Sequence, residues 1–173
     1  MSTDAEHHHP AALSSETLLA ECDVRFVRRS GPGGQHRNKV STGAALLHRP
    51  TGVQAEASER RSQAENRAVA LFRLRVNLAL DVRSPREPGS VPSPLWQSRL
   101  RGEQISVGAT HDDFPAILAE ALDALAAFEF DPRPASEALR CSVSQLVKLL
   151  RKEPRALAQV NHQRQQRGGH PLR

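Results

Sequence analysis

Residues 28–39 carry the most informative stretch of the chain, Arg28-Arg29-Ser30-Gly31-Pro32-Gly33-Gly34-Gln35-His36-Arg37-Asn38-Lys39. Its glycines and its proline specify a backbone that most residues cannot adopt, because glycine accepts positive φ and proline holds φ near one value. Gln35 stands where side chains are fewest, and cations lie on both sides of it. Such a stretch can bring main-chain amides and one side-chain amide against a crowded polyanion.

Strand and helix signals surround this stretch. Residues 24–27, 44–48 and 53–57 predict three strands, and Pro50-Thr51-Gly52 predicts the turn between the last two. The capping box Ser62-Gln63-Ala64-Glu65 predicts a helix that runs to Leu80. Its apolar residues recur at helical spacing and should cover the small sheet: Ala64, Ala68, Leu71, Phe72 and Ala79.

The other segments differ in composition. Residues 1–23 form a polar N-terminal segment, predicted to be disordered to residue 13 and to form a short helix at 15–21 capped by Ser15. The predicted units that follow are a sheet-and-helix domain at 24–83, a proline-rich linker at 84–98, a helical, helix-turn-helix-like module at 99–153 and a basic tail at 154–173. The predicted fold class is therefore α+β, a small sheet with a packed helix followed by an α-helical C-terminal module.

Charge is divided along the chain. Residues 25–86 hold 13 basic and 4 acidic residues, and residues 140–173 hold 8 basic and 1 acidic residue. The intervening residues 87–139 are acidic, with 3 basic and 9 acidic residues. Of the 24 cations, 21 are arginine, which binds phosphate through two donors and stacks on bases. The pattern favours two contacts with RNA.

The glycine-rich stretch resembles the GGQ loop of class I peptide chain release factors, which hydrolyse peptidyl-tRNA in the ribosome. Gly33-Gly34-Gln35 is followed by His36, Asn38 and Lys39 in the family's order. Thr51-Gly52, Glu59, Ser62-Gln63 and Asn66 then follow at the spacing of the family's hairpin and helix, so the resemblance covers roughly residues 22–83. Arg37 departs from the pattern, since a small apolar residue is more usual there.

The resemblance implies that Gly33, Gly34 and Gln35 are catalytic. The main-chain amide of Gln35 would stabilise the transition state, and its side chain would order water. Gln35 is also a candidate for N-methylation, which makes a glutamine methyltransferase an expected partner. With the charge pattern, the resemblance predicts contacts to tRNA or rRNA by Arg28, Arg29, Ser30, His36, Arg37, Asn38, Lys39, Arg60, Arg61, Lys148, Arg151, Lys152, Arg155, Arg164 and Arg167. Glu56 and Glu59 are expected to pair with Arg60 or Arg61.

The expected partners are the ribosome at its large-subunit peptidyl transferase centre, peptidyl-tRNA and rRNA. No cofactor or metal site is predicted, because Cys22 and Cys141 are far apart and His7-His8-His9 is short. No apolar run is long enough to span a membrane, so a cytoplasmic location with reduced thiols is expected.

Codon-reading release factors carry a large domain before the GGQ domain, whereas about 24 residues precede the first predicted strand here. The chain is therefore similar to short, codon-independent members of the family, the alternative rescue factor B-like hydrolases that release nascent chains from stalled ribosomes. Two rival interpretations are a release factor specific for damaged ribosomes and a non-catalytic regulator that binds ribosomes or nucleic acid.

The segment 135–150 has two open interpretations. Its apolar residues Leu139, Val143, Leu146, Val147 and Leu150 are typical of the core of a small helical bundle. Its polar residues are typical of a recognition helix that docks on rRNA through Ser142, Ser144, Gln145 and Lys148.

Overall fold

The computed structural model describes residues 9–28, 42–87 and 89–173. A short 3₁₀ helix, Pro10–Ala12, precedes α1 (Ser15–Ala20), β1 (Cys22–Val27), β2 (Gly43–His48), β3 (Gln54–Ala57) and α2 (Gln63–Asp81). The chain continues through α3 (Pro94–Arg99), β4 (Leu100–Arg101), β5 (Gln104–Ile105), α4 (Phe114–Ala127), α5 (Pro132–Ala138), α6 (Val143–Arg151) and α7 (Pro154–Gln166). The predicted α+β class, a small sheet with a packed helix and then a mostly helical region, is confirmed.

The first three strands form an antiparallel sheet in the order β1-β2-β3. Their predicted bounds differ from the observed ones by at most two residues. The turn between β2 and β3 forms where the sequence placed it, because Gly52 adopts φ +73° and its N–H donates to the His48 carbonyl at 2.8 Å. Side-chain alternation in these strands places Ala44, Leu46 and Ala57 in the core.

Helix α2 covers the sheet and begins at the predicted capping box. Ser62 Oγ accepts a hydrogen bond from the Glu65 N–H at 3.1 Å and donates one to the Glu65 carboxylate at 3.0 Å. The predicted apolar face was wrong in its first turns, where Ala64 and Ala68 are exposed. Leu71 and Ala79 are buried as predicted, and Asn66, Ala70, Leu74 and Leu78 are buried with them. The Asn66 amide can be buried because its polar atoms have partners.

Residues 9–13 are ordered, which corrects the prediction of disorder for this part of the N-terminal segment; residues 1–8 lie outside the described residues. Ala11 is buried in the core beside α2 and α4. His9 accepts from the Ala11 N–H at 3.0 Å through Nδ1 and donates from Nε2 to the Val82 carbonyl at 3.1 Å. Burial lowers the pKa of His9, which favours this neutral form. The cap of α1 is Ser14 rather than Ser15.

The C-terminal half is built around α4, whose buried side chains share one hydrophobic core with those of α2. Residues 94–98 lie in the segment predicted as a linker but belong to α3, and Trp96 is fully buried there. The Trp96 Nε1–H donates to the Leu139 carbonyl at 2.8 Å, so α3 is tied to the turn between α5 and α6. The short β4–β5 hairpin was not predicted. The domain boundaries given above stay predictions.

A buried carboxyl lies where the chain leaves α2. Asp123 on α4 accepts a hydrogen bond from the Ser84 N–H at 3.0 Å, and its carboxylate is 3.7 Å from the Arg83 guanidinium. Burial raises the pKa of Asp123 to about 6, although the Ser84 N–H, Arg83 and Arg86 act in the opposite direction. Burial therefore outweighs the favourable charges around this carboxyl.

We expect Asp123 to make stability depend on pH. Since its folded pKa of about 6 lies above the ordinary 3.8, the stabilisation from its protonated form is lost as the pH rises through this range. Relative to an Asp123→Asn variant, the natural chain should lose up to about 3 kcal/mol of unfolding free energy between about pH 4 and pH 7. Urea unfolding of both proteins at the two pH values measures this, and a difference independent of pH would contradict it.

Candidate functional site

The sheet register brings together the two ends of the glycine-rich segment, which comprises residues 28–42. Val27 at the end of β1 pairs with Gly43 at the start of β2. The chain therefore leaves the sheet after Val27 and returns to a neighbouring position at Gly43. The predicted catalytic residues and most predicted loop contacts lie outside the described residues: Gly33, Gly34, Gln35, Arg29, Ser30, His36, Arg37, Asn38 and Lys39. Arg28 is described and is exposed directly after β1.

Gly43 is required at the point of return because the neighbouring chain is too close for a side chain. A Cβ added at this position would lie 2.8 Å from Val27 Cγ2, 3.0 Å from the Val27 carbonyl oxygen and 3.1 Å from Ser58 Cβ. The first contact involves a side chain, but the second involves backbone that cannot move without disturbing the sheet. The sequence interpretation did not single out this glycine, and its position just before a strand was the available signal.

Asn66 holds the same end of the sheet from α2. Its side chain is fully buried and donates from Nδ2 to the Thr42 carbonyl at 2.7 Å and to the Arg60 carbonyl at 3.0 Å. Its Oδ1 accepts from the Arg60 N–H at 2.9 Å. One amide thus joins the residue before β2 to the turn between β3 and α2. The sequence pattern included Asn66, but only the structure shows this anchoring role.

Cations lie beside this anchored end. Arg60 and Arg61 are exposed in the turn after β3, and Asn66 ties the main chain of Arg60 to Thr42. The structure therefore brings Arg28, Arg60 and Arg61 to the end of the sheet where the glycine-rich segment departs. The expected pairing of Glu59 with Arg60 or Arg61 was wrong, because Glu59 pairs with Arg73 of α2 at 2.6 Å. Arg60 and Arg61 consequently keep exposed side chains.

The outer edge of β3 is covered by side chains of α2. Arg73 donates to the Glu56 carbonyl at 2.9 Å, and Asn77 donates to the Gln54 carbonyl at 2.9 Å. An uncovered strand edge would offer its carbonyls to another chain. These two bonds satisfy the Gln54 and Glu56 carbonyls of that edge and attach α2 to the strand that leads to the anchored turn.

Most of the predicted cations of the C-terminal region make internal contacts. Lys152 donates to the Val107 carbonyl, and Arg155 pairs with Glu153 at 2.8 Å. Arg164 donates to the Phe130 carbonyl at 2.6 Å and to the His170 carbonyl at 2.8 Å. Arg167 lies 5.1 Å from the centre of the Phe130 ring. Residues 154–166 form helix α7, and the predicted basic tail is therefore largely helical and packed.

Helix α6 has the buried face that the core interpretation of residues 135–150 predicts, while docking of its exposed face on rRNA stays a prediction. Leu146, Val147 and Leu150 are buried with Leu139, so the apolar residues are core, whereas Val143 is 36% exposed. The opposite face exposes Ser144, Lys148 and Arg151. Ser142 is the N-cap and accepts from the Gln145 N–H at 3.3 Å. Lys148 and Arg151 form no hydrogen bond or ion pair with the described residues at the base of the glycine-rich segment.

Other kinds of site find no support in the described ranges 9–28, 42–87 and 89–173. Within them, no group of three or more histidine, cysteine, aspartate or glutamate side chains is arranged to hold a metal ion. Cys22 and Cys141 are buried free thiols, and burial raises the pKa of Cys141 to about 12, which keeps it protonated. In the same ranges, no helix is both long and apolar enough to cross a membrane.

Comparison with known proteins shows a similarity over the segment that contains this site. Residues 15–92 match the family model of the RF-1 domain. The match begins at α1, includes the three-stranded sheet, the glycine-rich segment and α2, and ends before α3. The RF-1 segment thus contains Gly33-Gly34-Gln35 together with the residues that anchor its base, Gly43 and Asn66.

The relatives are peptide chain release factors, and the similarity to each is partial. The chain is 41% identical over 96 residues to peptide chain release factor PrfB1, chloroplastic, of Arabidopsis thaliana. This match covers 52% of this chain and 21% of that protein. It is 43% identical over 68 residues to peptide chain release factor 1 of Delftia acidovorans, covering 39% of this chain and 19% of the relative. It is 38% identical over 82 residues to peptide chain release factor 1 of Acidiphilium cryptum, and this match covers 46% of this chain and 23% of the relative. The chain thus spans about a fifth of each relative's length.

Proposed function

We propose that this protein is a peptidyl-tRNA ester hydrolase that acts on the ribosome. The observation that carries the proposal is the match of residues 15–92 to the RF-1 domain around an intact Gly33-Gly34-Gln35. The relatives named above are release factors by name. The activity, the ribosomal partner and the peptidyl-tRNA substrate of the whole chain all belong to this proposal.

The proposed chemistry needs little more than well-placed dipoles. Water attacks the ester carbon that links the nascent peptide to the terminal ribose, and negative charge builds on the carbonyl oxygen and the leaving ribose oxygen. The main-chain amide of Gln35 donates to that charge, and one such donor is worth about 10²–10³ in rate. The Gln35 side chain orders the water. Gly33 and Gly34 are needed because a side chain there would hold the backbone away from the ribose.

The described base of the segment supports this role. The Val27–Gly43 pairing and the buried Asn66 amide hold both ends of the segment at one place on a packed sheet. A positioned donor loses less rate to misalignment when its support is rigid. The exposed cations Arg28, Arg60 and Arg61 at the same end suit the phosphates of a tRNA end. Methylation of Gln35 by a glutamine methyltransferase is part of the proposal.

The finer proposal is that release occurs without reading a stop codon, on stalled ribosomes. Helices α3 to α7 follow the RF-1 segment, and their exposed cations on α6 suit a backbone contact that carries no sequence information. A cytoplasmic location also stays a proposal, since one of the similar proteins is a chloroplastic factor by name.

The test uses purified ribosomes that carry labelled peptidyl-tRNA. One set is stalled on mRNA truncated in the decoding site, and a second set has a stop codon there. We expect release from the first set at a rate that a stop codon does not increase. Release only at stop codons would contradict codon independence. Release only from ribosomes with damaged decoding centres would favour a release factor specific for damaged ribosomes. Binding without release would favour a non-catalytic regulator.

A further inference from the structure

The cations between Arg140 and Arg173 divide into two groups in the structure. The first group is engaged within the protein. Arg155 binds Glu153 and also Asn77 of α2 at 2.9 Å, while Arg164 and Arg167 bind carbonyls and the Phe130 ring around the end of α7. Redirecting Arg164 to a ligand would leave the part-buried Phe130 carbonyl without this donor, which is costly, whereas the exposed contacts of Arg155 engage that side chain more weakly.

The second group has no internal partner among the residues that the structure describes. Lys148 and Arg151 are exposed on α6 and form no hydrogen bond or ion pair there. Lys148 is four residues after Ser144 and Arg151 is three residues after Lys148, so the three side chains project from one face of the helix. The opposite face is buried through Leu146, which fixes the orientation of the exposed face.

Arg140 lies in the turn directly before α6. It is exposed, has no described side-chain partner, and adopts φ +56°, a conformation that usually selects glycine or asparagine. Helix α6 contains no acidic residue, and Glu153, the one acidic residue between Arg140 and Arg173, is already paired with Arg155. The charge of α6 itself is therefore positive, while Glu103, whose carbonyl accepts from the Ser142 N–H, and Glu137 are the acidic residues beside the Arg140 turn.

We propose that Arg140, Lys148 and Arg151 form a contact for the phosphate backbone of double-helical RNA, and that this face of α6, rather than the basic segment of α7, is the RNA contact of the C-terminal half. The inference rests on the proposed function only for the identity of that RNA as ribosomal. A rigid row of cations on a packed helix suits phosphates held at fixed positions by a duplex. A flexible single strand would have to be ordered on binding.

The test measures binding of the full chain to a labelled RNA duplex of mixed sequence across a KCl series. The α6 variant combines Arg140→Gly, Lys148→Gln and Arg151→Gln. Glycine suits the positive φ at position 140, and the other two side chains support no described contact, so this variant keeps the fold. We expect the slope of log Kd against log salt to fall by about 0.9 for each phosphate contact that is lost.

A matched control removes the same charge from α7 through Arg155→Gln, Arg164→Gln and Arg167→Gln. We expect it to keep the natural slope while circular dichroism shows an intact helical content. If α7 loosens, the single variant Arg167→Gln replaces it as the control. An unchanged slope in the α6 variant, or an equal loss in a folded control, would overturn the proposal. Single-stranded RNA of the same sequence should bind more weakly, and equal affinity would overturn the duplex preference.

The outcome is independent of the proposed catalysis, because the duplex assay contains no ribosome and no ester. A Gln35→Ala variant should bind the duplex as the natural chain does, even where it releases no peptide. If the α6 variant binds the duplex as tightly as the natural chain but binds ribosomes more weakly, the RNA contact would be overturned in favour of a ribosomal protein as the partner of α6.

Discussion

Replacing Gly34 with valine should lower the rate of peptidyl-tRNA hydrolysis by roughly 10²-fold or more, while ribosome binding stays unchanged. The reason is geometric, since a branched side chain beside Gln35 would hold the main-chain amide away from the ester and remove a donor worth about 10²–10³ in rate. Gln35→Ala should also reduce release, through loss of ordered water. Single-turnover release of labelled peptide, with binding measured separately, distinguishes a lost donor from lost affinity.

The matched control is Gly108→Val. Gly108 is exposed, and an added Cβ would meet nothing within 4 Å. This variant introduces the same side chain outside the RF-1 segment, which ends at residue 92, and should release peptide at the natural rate. Full release by both Gly34→Val and Gln35→Ala would refute the catalytic assignment, whatever the control shows.

Replacing Asn66 with leucine should lower the free energy of unfolding by roughly 3 kcal/mol or more. Leucine has a similar volume but leaves the Thr42 carbonyl, the Arg60 carbonyl and the Arg60 N–H without their partner. A buried polar group left unsatisfied costs about 1–3 kcal/mol. Urea unfolding followed by Trp96 fluorescence measures the loss cleanly, because Trp96 is the one tryptophan of the chain and is fully buried.

Asn77→Leu provides the comparison on the same helix. Asn77 is half-buried and makes one bond to the Gln54 carbonyl and one to Arg155, both where water can replace them. We expect a loss of about 1 kcal/mol or less. Under conditions where the Asn66→Leu protein remains folded, this variant should also slow peptide release. The reason is that Asn66 holds Thr42, the described residue at which the glycine-rich segment rejoins the fold. Equal stability losses in the two variants would contradict the anchoring role.

Local chemistry made much of the fold predictable. The strands, the Gly52 turn and the Ser62 capping box depend on residues that are close in sequence, and each appears within two residues of its predicted place. Predictions that depended on composition failed more often. Residues 9–13 belong to a segment that was predicted to be disordered from its polar composition, but they are ordered because His9 binds the Val82 carbonyl at the end of α2 and Ala11 joins the core. Trp96 in the proline-rich segment is buried because a distant carbonyl, that of Leu139, accepts its N–H.

The candidate site shows the same division. The motif around Gln35 was evident in the sequence, since glycine and glutamine at fixed spacing are a local property. The partners of its base were not. Glu59, which follows β3, was expected to bind a neighbouring arginine but pairs with Arg73 of α2. Gly43 is demanded by Val27 and Ser58, which come near it only when three strands have assembled.

The sequence alone determined the class of fold and the position of the glycine-rich segment, because turn residues, caps and apolar periodicity act over a few neighbouring residues. The tertiary structure decided which charges remain available. Little in the sequence distinguishes Arg164 from Lys148 and Arg151, yet Arg164 is held by the distant Phe130 carbonyl, whereas Lys148 and Arg151 are exposed without a partner among the described residues. A charge is available to a ligand only when folding leaves it without a partner, and partners are assigned by packing between elements distant in sequence.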